Sequence, residues 1–259
     1  MKVYRDSVGA GPDLVLLHGW GMNAAVWSGV RDRLTRRHRV TIIELPGHGA
    51  SSYQAQCGEL DDWTEACLRA APPRADWIGW SLGGQLALRG ALLHPERVGK
   101  LLMVASSPRF VRGRDWPQAV PEHTLRQFAE TLTKNPGQTL SRFLSLQVRG
   151  DDQARRTLRL LRQETELRPA PQAQALQHGL DLLLRVDLRG QLKALECPSL
   201  WLLGERDTLV PAAVRGDLQR LLGSAGEVRV LDGCAHAPFL SHPAQSLAAV
   251  EGFLGDGDG

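Results

Sequence analysis

Short, largely apolar runs recur along the first hundred residues: Leu14-Val15-Leu16-Leu17, Val40-Thr41-Ile42-Ile43, Trp77-Ile78-Gly79 and Leu101-Leu102-Met103-Val104. Runs of this kind, apolar on consecutive positions, predict parallel strands buried on both faces. Between them the spacing becomes helical. Residues 60–71 and, more strongly, 82–93 predict helices, the second ending before His94-Pro95, because proline cannot continue a helix. Strands alternating with helices predict an α/β fold with a doubly wound, mostly parallel sheet. From about Arg109 the strand pattern vanishes, and apolar residues return at helical spacing, as in Leu125, Phe128, Leu132 and Leu140, Phe143, Leu144. Strand-like runs resume at 199–203 and 228–231, and an amphipathic helix follows near 246–254. The chain therefore divides into a core of residues 1–108 and 186–259, interrupted by a helical lid over 109–185. The tail, residues 255–259, is expected to be frayed.

Composition changes this picture little. The chain has 259 residues, 42% hydrophobic and 23% charged, which suits one sizeable core. A formal charge of +3 is too small to indicate nucleic-acid binding. Its distribution is uneven, with twelve Lys or Arg against seven Asp or Glu between Arg109 and Arg168. Cys57, Cys67, Cys197 and Cys234 show no CxxC pair and no metal-ligand spacing, as expected of reduced thiols. Neither a secretory segment at the start nor a run of about 18 apolar residues appears, so a cytoplasmic protein with no membrane span is expected. The reading calls for no metal and no cofactor: there is no H-E-x-x-H and no phosphate-cradling glycine loop.

The chemistry lies at the ends of the predicted strands. Gly79-Trp80-Ser81-Leu82-Gly83 is a G-x-S-x-G element with a strand before it and a helix after it, the context that a nucleophile elbow requires. A serine hydroxyl is a weak nucleophile without a positioned base and a group to orient that base. Of eight histidines, His236 follows a strand-like run on a loop at its C-terminal end, where open α/β sheets keep their sites. His242 reads instead as the start of the last helix, and His94 as a helix-ending turn. Asp207 follows the run 199–203 and completes the order Ser, Asp, His; Glu205, two residues earlier, is the rival acid. Acyl transfer also needs donors for the tetrahedral oxyanion. The backbone N–H groups of Leu82, after the serine, and of Trp20, in His18-Gly19-Trp20-Gly21, supply them. Cys234 and His18 read as structural neighbours of the site.

With these residues in view, the chain resembles the carboxylesterases of biotin synthesis that act on pimeloyl-acyl-carrier-protein methyl ester, within the α/β-hydrolase superfamily. The resemblance spans nearly the whole chain. It is carried by Leu16-Leu17-His18-Gly19-Trp20-Gly21-Met22-Asn23, Gly79-Trp80-Ser81-Leu82-Gly83-Gly84, Arg142-Phe143-Leu144-Ser145-Leu146-Gln147 and Gly233-Cys234-Ala235-His236-Ala237-Pro238-Phe239. It implies an α/β-hydrolase fold and hydrolysis of a methyl ester on a chain carried by acyl carrier protein; the enzyme is expected to be a monomer. It also implies substrate contacts from Trp20, Ser81, Leu82, Phe143, Gln147 and His236, and docking of the acidic carrier on Arg142, Arg155 and Arg159. Where that family can show another arginine this chain has Gln138, while Arg149, Arg156 and Arg162 add bases nearby. A general short-chain carboxylesterase and a carbon–carbon bond hydrolase remain alternatives, since the triad does not choose the acyl group; a non-catalytic receptor of the same fold is a more remote one.

Overall fold

A computed structural model describes residues 1–255 of the chain. Seven strands form one sheet: β1 (Arg5–Val8), β2 (Asp13–Leu17), β3 (Arg39–Ile43), β4 (Ala75–Trp80), β5 (Val98–Val104), β6 (Ser199–Gly204) and β7 (Gly226–Leu231). Their order across the sheet is β1-β3-β2-β4-β5-β6-β7. All neighbours run parallel except β1, which pairs antiparallel with β3 at the edge. Helices α1 (Ser28–Leu34), α2 (Leu60–Ala70), α3 (Leu82–Leu93), α8 (Arg215–Leu222), α9 (Pro238–Ser241) and α10 (Pro243–Gly255) accompany the sheet. Four more, α4 (Glu122–Leu132), α5 (Pro136–Gln147), α6 (Ala154–Glu166) and α7 (Ala173–Arg185), fall between β5 and β6.

The period-two alternation of a strand sends successive side chains to opposite faces, and both faces are buried here. Val15, Leu17, Ile43, Trp77, Leu101, Met103, Trp201 and Leu203 pack on one side with α2, α3 and α8. Leu14, Leu16, Ile42, Ile78, Leu102, Leu200 and Leu202 pack on the other with α1 and α10. This is why the central strands read as unbroken apolar runs. The exposed β1 and the short, Arg-rich α1 and α8 lack that signal and escaped the sequence reading. Gly255 closes α10 as an ordinary helical residue; the rest of the expected frayed tail, residues 256–259, lies outside the described residues.

Sheet topology fixes where a site can form. From β2 the chain moves outward to β3 and then returns to the other side of β2 as β4, so the direction of winding reverses between β2 and β4. Diverging connections leave a crevice at that point. The loop after β2 carries His18-Gly19-Trp20, and the turn after β4 carries Ser81.

Candidate active site

Ser81 sits between β4 and α3 with φ 55° and ψ −121°, a conformation that costs a non-glycine residue about 1–3 kcal/mol. The surroundings hold it there. Its N–H donates to Val104 O at 3.0 Å, and its carbonyl accepts from Ser106 Oγ at 2.7 Å. A side chain on Gly83 would drive into the carbonyls of Leu17 and His18, and one on Gly79 into the backbone of Gly84. The two glycines of the motif are thus required by close backbone approach rather than by their own dihedral angles.

His236 Nε2 lies 2.9 Å from Ser81 Oγ, and His236 Nδ1 lies 2.7 Å from Asp207 Oδ2. The other carboxylate oxygen, Oδ1, accepts from the N–H groups of Leu209 at 2.8 Å and Val210 at 3.0 Å. With Asp207 as acceptor, Nδ1 carries the proton and Nε2 faces the serine as a base. Glu205 is elsewhere: its carboxylate accepts the Gly233 N–H at 2.9 Å and so braces the loop that bears the histidine. His242 bonds Ser241 ahead of α10, and His94 lies at the end of α3 beside Glu65.

Leu82 is the first residue of α3, and its N–H has no intrahelical acceptor. Trp20 occupies the facing loop, its indole N–H donating to Leu176 O at 2.8 Å and its ring edge-on to Phe143 at 4.7 Å between centroids. The loop is stiffened from below by two buried imidazoles. His18 donates to Gly19 O and accepts the Leu45 N–H at Nε2; His48 donates to Pro46 O and accepts the Gly21 N–H. Burial lowers His18 to about 3, helped by the nearby His48, and lowers His48 to about 4, so both stay neutral. His48 was invisible to motif reading because it lies on a different loop. So was Trp80, the variable residue of G-x-S-x-G, whose indole N–H donates to His236 O at 2.7 Å. Gly179 of α7 was also missed; a side chain there would come within 2.7 Å of the Trp20 ring.

Phe143 and Gln147 of α5 are both buried, and Gln147 Oε1 has no hydrogen-bond partner among the described residues. Its backbone carbonyl accepts the His236 N–H at 3.0 Å. Arg142, Arg155 and Arg159 are exposed, and none of them forms an ion pair among the described residues; the same holds for Arg149, Arg156 and Arg162. Burial pushes the Cys234 thiol up to about 12, which leaves it inert. The hydrogen-bonded line from Asp207 through His236 to Ser81 is the arrangement that acyl transfer from an ester, through an acyl-serine, to water requires.

The model of the alpha/beta hydrolase family matches residues 14–250. A solved esterase from Exiguobacterium antarcticum superposes with a TM-score of 0.87 over 98% of this chain and 95% of its own, at 18% identity. The chain is therefore a member of the alpha/beta hydrolase family. The pimeloyl-[acyl-carrier protein] methyl ester esterase of Aeromonas hydrophila is 43% identical over 256 residues, covering 98% of this chain and 100% of the relative. The protein of the same name from Nitrosomonas europaea is 42% identical over 250 residues, covering 96% and 98%. The chain belongs to the same family as these esterases and is itself a carboxylic ester hydrolase.

Proposed function

We propose that this enzyme hydrolyses the methyl ester of a pimeloyl chain carried on acyl carrier protein, releasing methanol and exposing the terminal carboxylate, a step of biotin synthesis. Ser81 attacks the ester carbonyl as His236 Nε2 takes its proton. The tetrahedral oxyanion is held by the N–H groups of Trp20 and Leu82. Collapse expels methanol, protonated by the imidazolium, and His236 then activates the water that releases the acid from Ser81. Asp207 holds the tautomer and stabilises the imidazolium. The observation that carries the chemistry is the continuous hydrogen-bonded relay from Asp207 through His236 to Ser81, and the substrate comes from kinship with the Aeromonas and Nitrosomonas esterases.

Residues 109–185 act in this reading as a lid. Ser81 is only 3% exposed beneath α5 and α7, so the lid must part to admit a tethered chain, which then lies against Phe143 and Gln147. Carrier protein is acidic, and the unpaired arginines Arg142, Arg155 and Arg159 give it a complementary surface. Four free thiols, three of them buried, fit a cytoplasmic enzyme, and no helix among the described residues is long and apolar enough to cross a membrane. We take the working unit to be a monomer.

The test compares kcat/KM for the carrier-bound methyl ester with that for free dimethyl pimelate, with Ser81→Ala as background. A large preference for the carrier-bound ester, abolished in Ser81→Ala, is expected. Equal values would make the protein a general esterase, and a chain that neither turns over esters nor reacts with a fluorophosphonate at Ser81 would be a receptor.

A further inference from the structure

The loop that bears His236 is gripped from one side by the turn between α5 and α6. His236 N–H donates to Gln147 O at 3.0 Å, and Ala235 N–H donates to Asp151 Oδ2 at 2.8 Å. Asp152 N–H donates in the opposite sense to Gly233 O at 3.1 Å, while from the loop after β6 Arg206 N–H donates to Cys234 O at 2.8 Å. Asp151 is the unusual member. It is a carboxylate in a residue only 7% exposed, with no ion-pair partner among the described residues. Burying such a charge is costly unless N–H donors satisfy it. Its Oδ1 accepts the Gln153 N–H at 2.7 Å, a local turn of the kind that a serine hydroxyl also makes. That bond alone does not require a charge. Oδ2 reaches 84 positions along the chain, to the residue immediately before His236.

We propose that Asp151 is a positioning residue for hydrolysis: by holding the Ala235 N–H it sets the height of the His236 ring over Ser81. His236 is anchored at three points, one on its ring and two on its backbone. Asp207 fixes its Nδ1, Trp80 its carbonyl, and the Gln147–Asp151 turn its amide side. Asp207 alone leaves the ring free to pivot about the Nδ1 bond. Fixing the backbone on both sides removes that freedom, and a base displaced by even 1 Å loses rate without any change in substrate contacts. A consequence for the lid follows. Its α5–α6 end cannot swing away without dismantling the base, so opening must occur at α4 and the N-terminal half of α5, with this turn as the fixed end.

The inference rests on His236 being the base, and the test separates the two. In the full-length enzyme, His236→Ala must abolish hydrolysis of dimethyl pimelate and fluorophosphonate labelling of Ser81; if it does not, that reading fails whatever Asp151 does. Given that result, Asp151→Ser keeps a group able to cap Gln153 but cannot reach Ala235. It is expected to lower kcat on dimethyl pimelate about tenfold, inside the roughly hundredfold that a small misplacement can cost, with KM unchanged. The low-field proton resonance of His236 Nδ1–H is expected to shift or broaden in parallel. Asp151→Asn, which matches the shape and retains one acceptor oxygen, guards against a simple folding failure and should stay within about threefold of wild type, since the local cap is the bond it can most readily give up. Wild-type kcat and an unmoved resonance in Asp151→Ser would overturn the proposal. So would equal losses of kcat and thermal midpoint in both variants, the mark of a merely structural residue.

Discussion

At the scale of single residues, the site is a set of groups whose protonation is decided by burial. His18 and His48 are held neutral under the Trp20 loop, with values near 3 and 4 against an ordinary 6.5. Their folded forms bind protons more weakly than the unfolded chain does, so unfolding takes up protons below about pH 6.5 and acid destabilises the fold. The stability they leave intact above pH 6.5 is lost as pH falls toward 4 and then 3, at up to about 1.4 kcal/mol per pH unit for each ring. Urea unfolding at pH 7 and pH 5 checks this. Wild type is expected to lose about 2 kcal/mol more across that interval than His48→Gln, whose amide does not titrate; equal losses would refute the assignment. The same scale shows how far motifs carry. Ser81 and His236 announce themselves by local context, and Asp207 by following a strand. The sequence already favours Asp207 over Glu205, because the loop Thr208-Leu209-Val210-Pro211 after it can carry it inward, and the fold shows Asp207 on His236 and Glu205 on Gly233.

Between elements, the connections from the α6–α7 segment to the sheet are polar and specific. Glu44, at the end of β3, is fully buried in its side chain, and it receives Arg168 from the α6–α7 connection through two bonds, at 3.0 and 3.1 Å. The N–H groups of Ala24 and Ala50 complete its coordination. Arg168 also lies over the Tyr4 ring at 4.1 Å. Removing the cation leaves a buried carboxylate without its charge partner. Arg168→Leu is therefore expected to cost about 3 kcal/mol in denaturant unfolding, while kcat on a small free ester changes little. A variant with unaltered stability would show that the backbone amides alone suffice for Glu44. None of this was legible along the chain. Glu44 and Arg168 are 124 residues apart, and an isolated glutamate after a strand carries no pattern.

For the whole molecule, charge distribution makes a separate prediction. The exposed arginines of α5, α6 and the turn between them form no ion pair among the described residues. Raising ionic strength from about 10 to 150 mM shortens the screening length from about 30 to 8 Å. The value of kcat/KM for the carrier-bound ester is expected to fall steeply over that range, while that for dimethyl pimelate stays flat. Parallel responses would mean that the arginines do not steer the carrier.

β1, α1 and α8 could not be read from sequence, whereas the alternation of strands β2 to β7 with the longer helices, the G-x-S-x-G turn and the loops bearing Asp207 and His236 could. They are local: period, turn chemistry and strand ends are properties of neighbouring residues. What the sequence could not supply is every relation between distant segments, because those depend on how the sheet winds and where the inserted helices come to rest. The reversal between β2 and β4 brings the loop that bears Gly19 and Trp20 against Ser81. Tertiary packing likewise set Trp80 against the His236 carbonyl, His48 beneath Gly21 and Asp151 against Ala235. A hydrogen bond spanning 84 or 156 residues is decided by the closed core, where each buried polar group must find whatever partner the fold has brought within 3 Å.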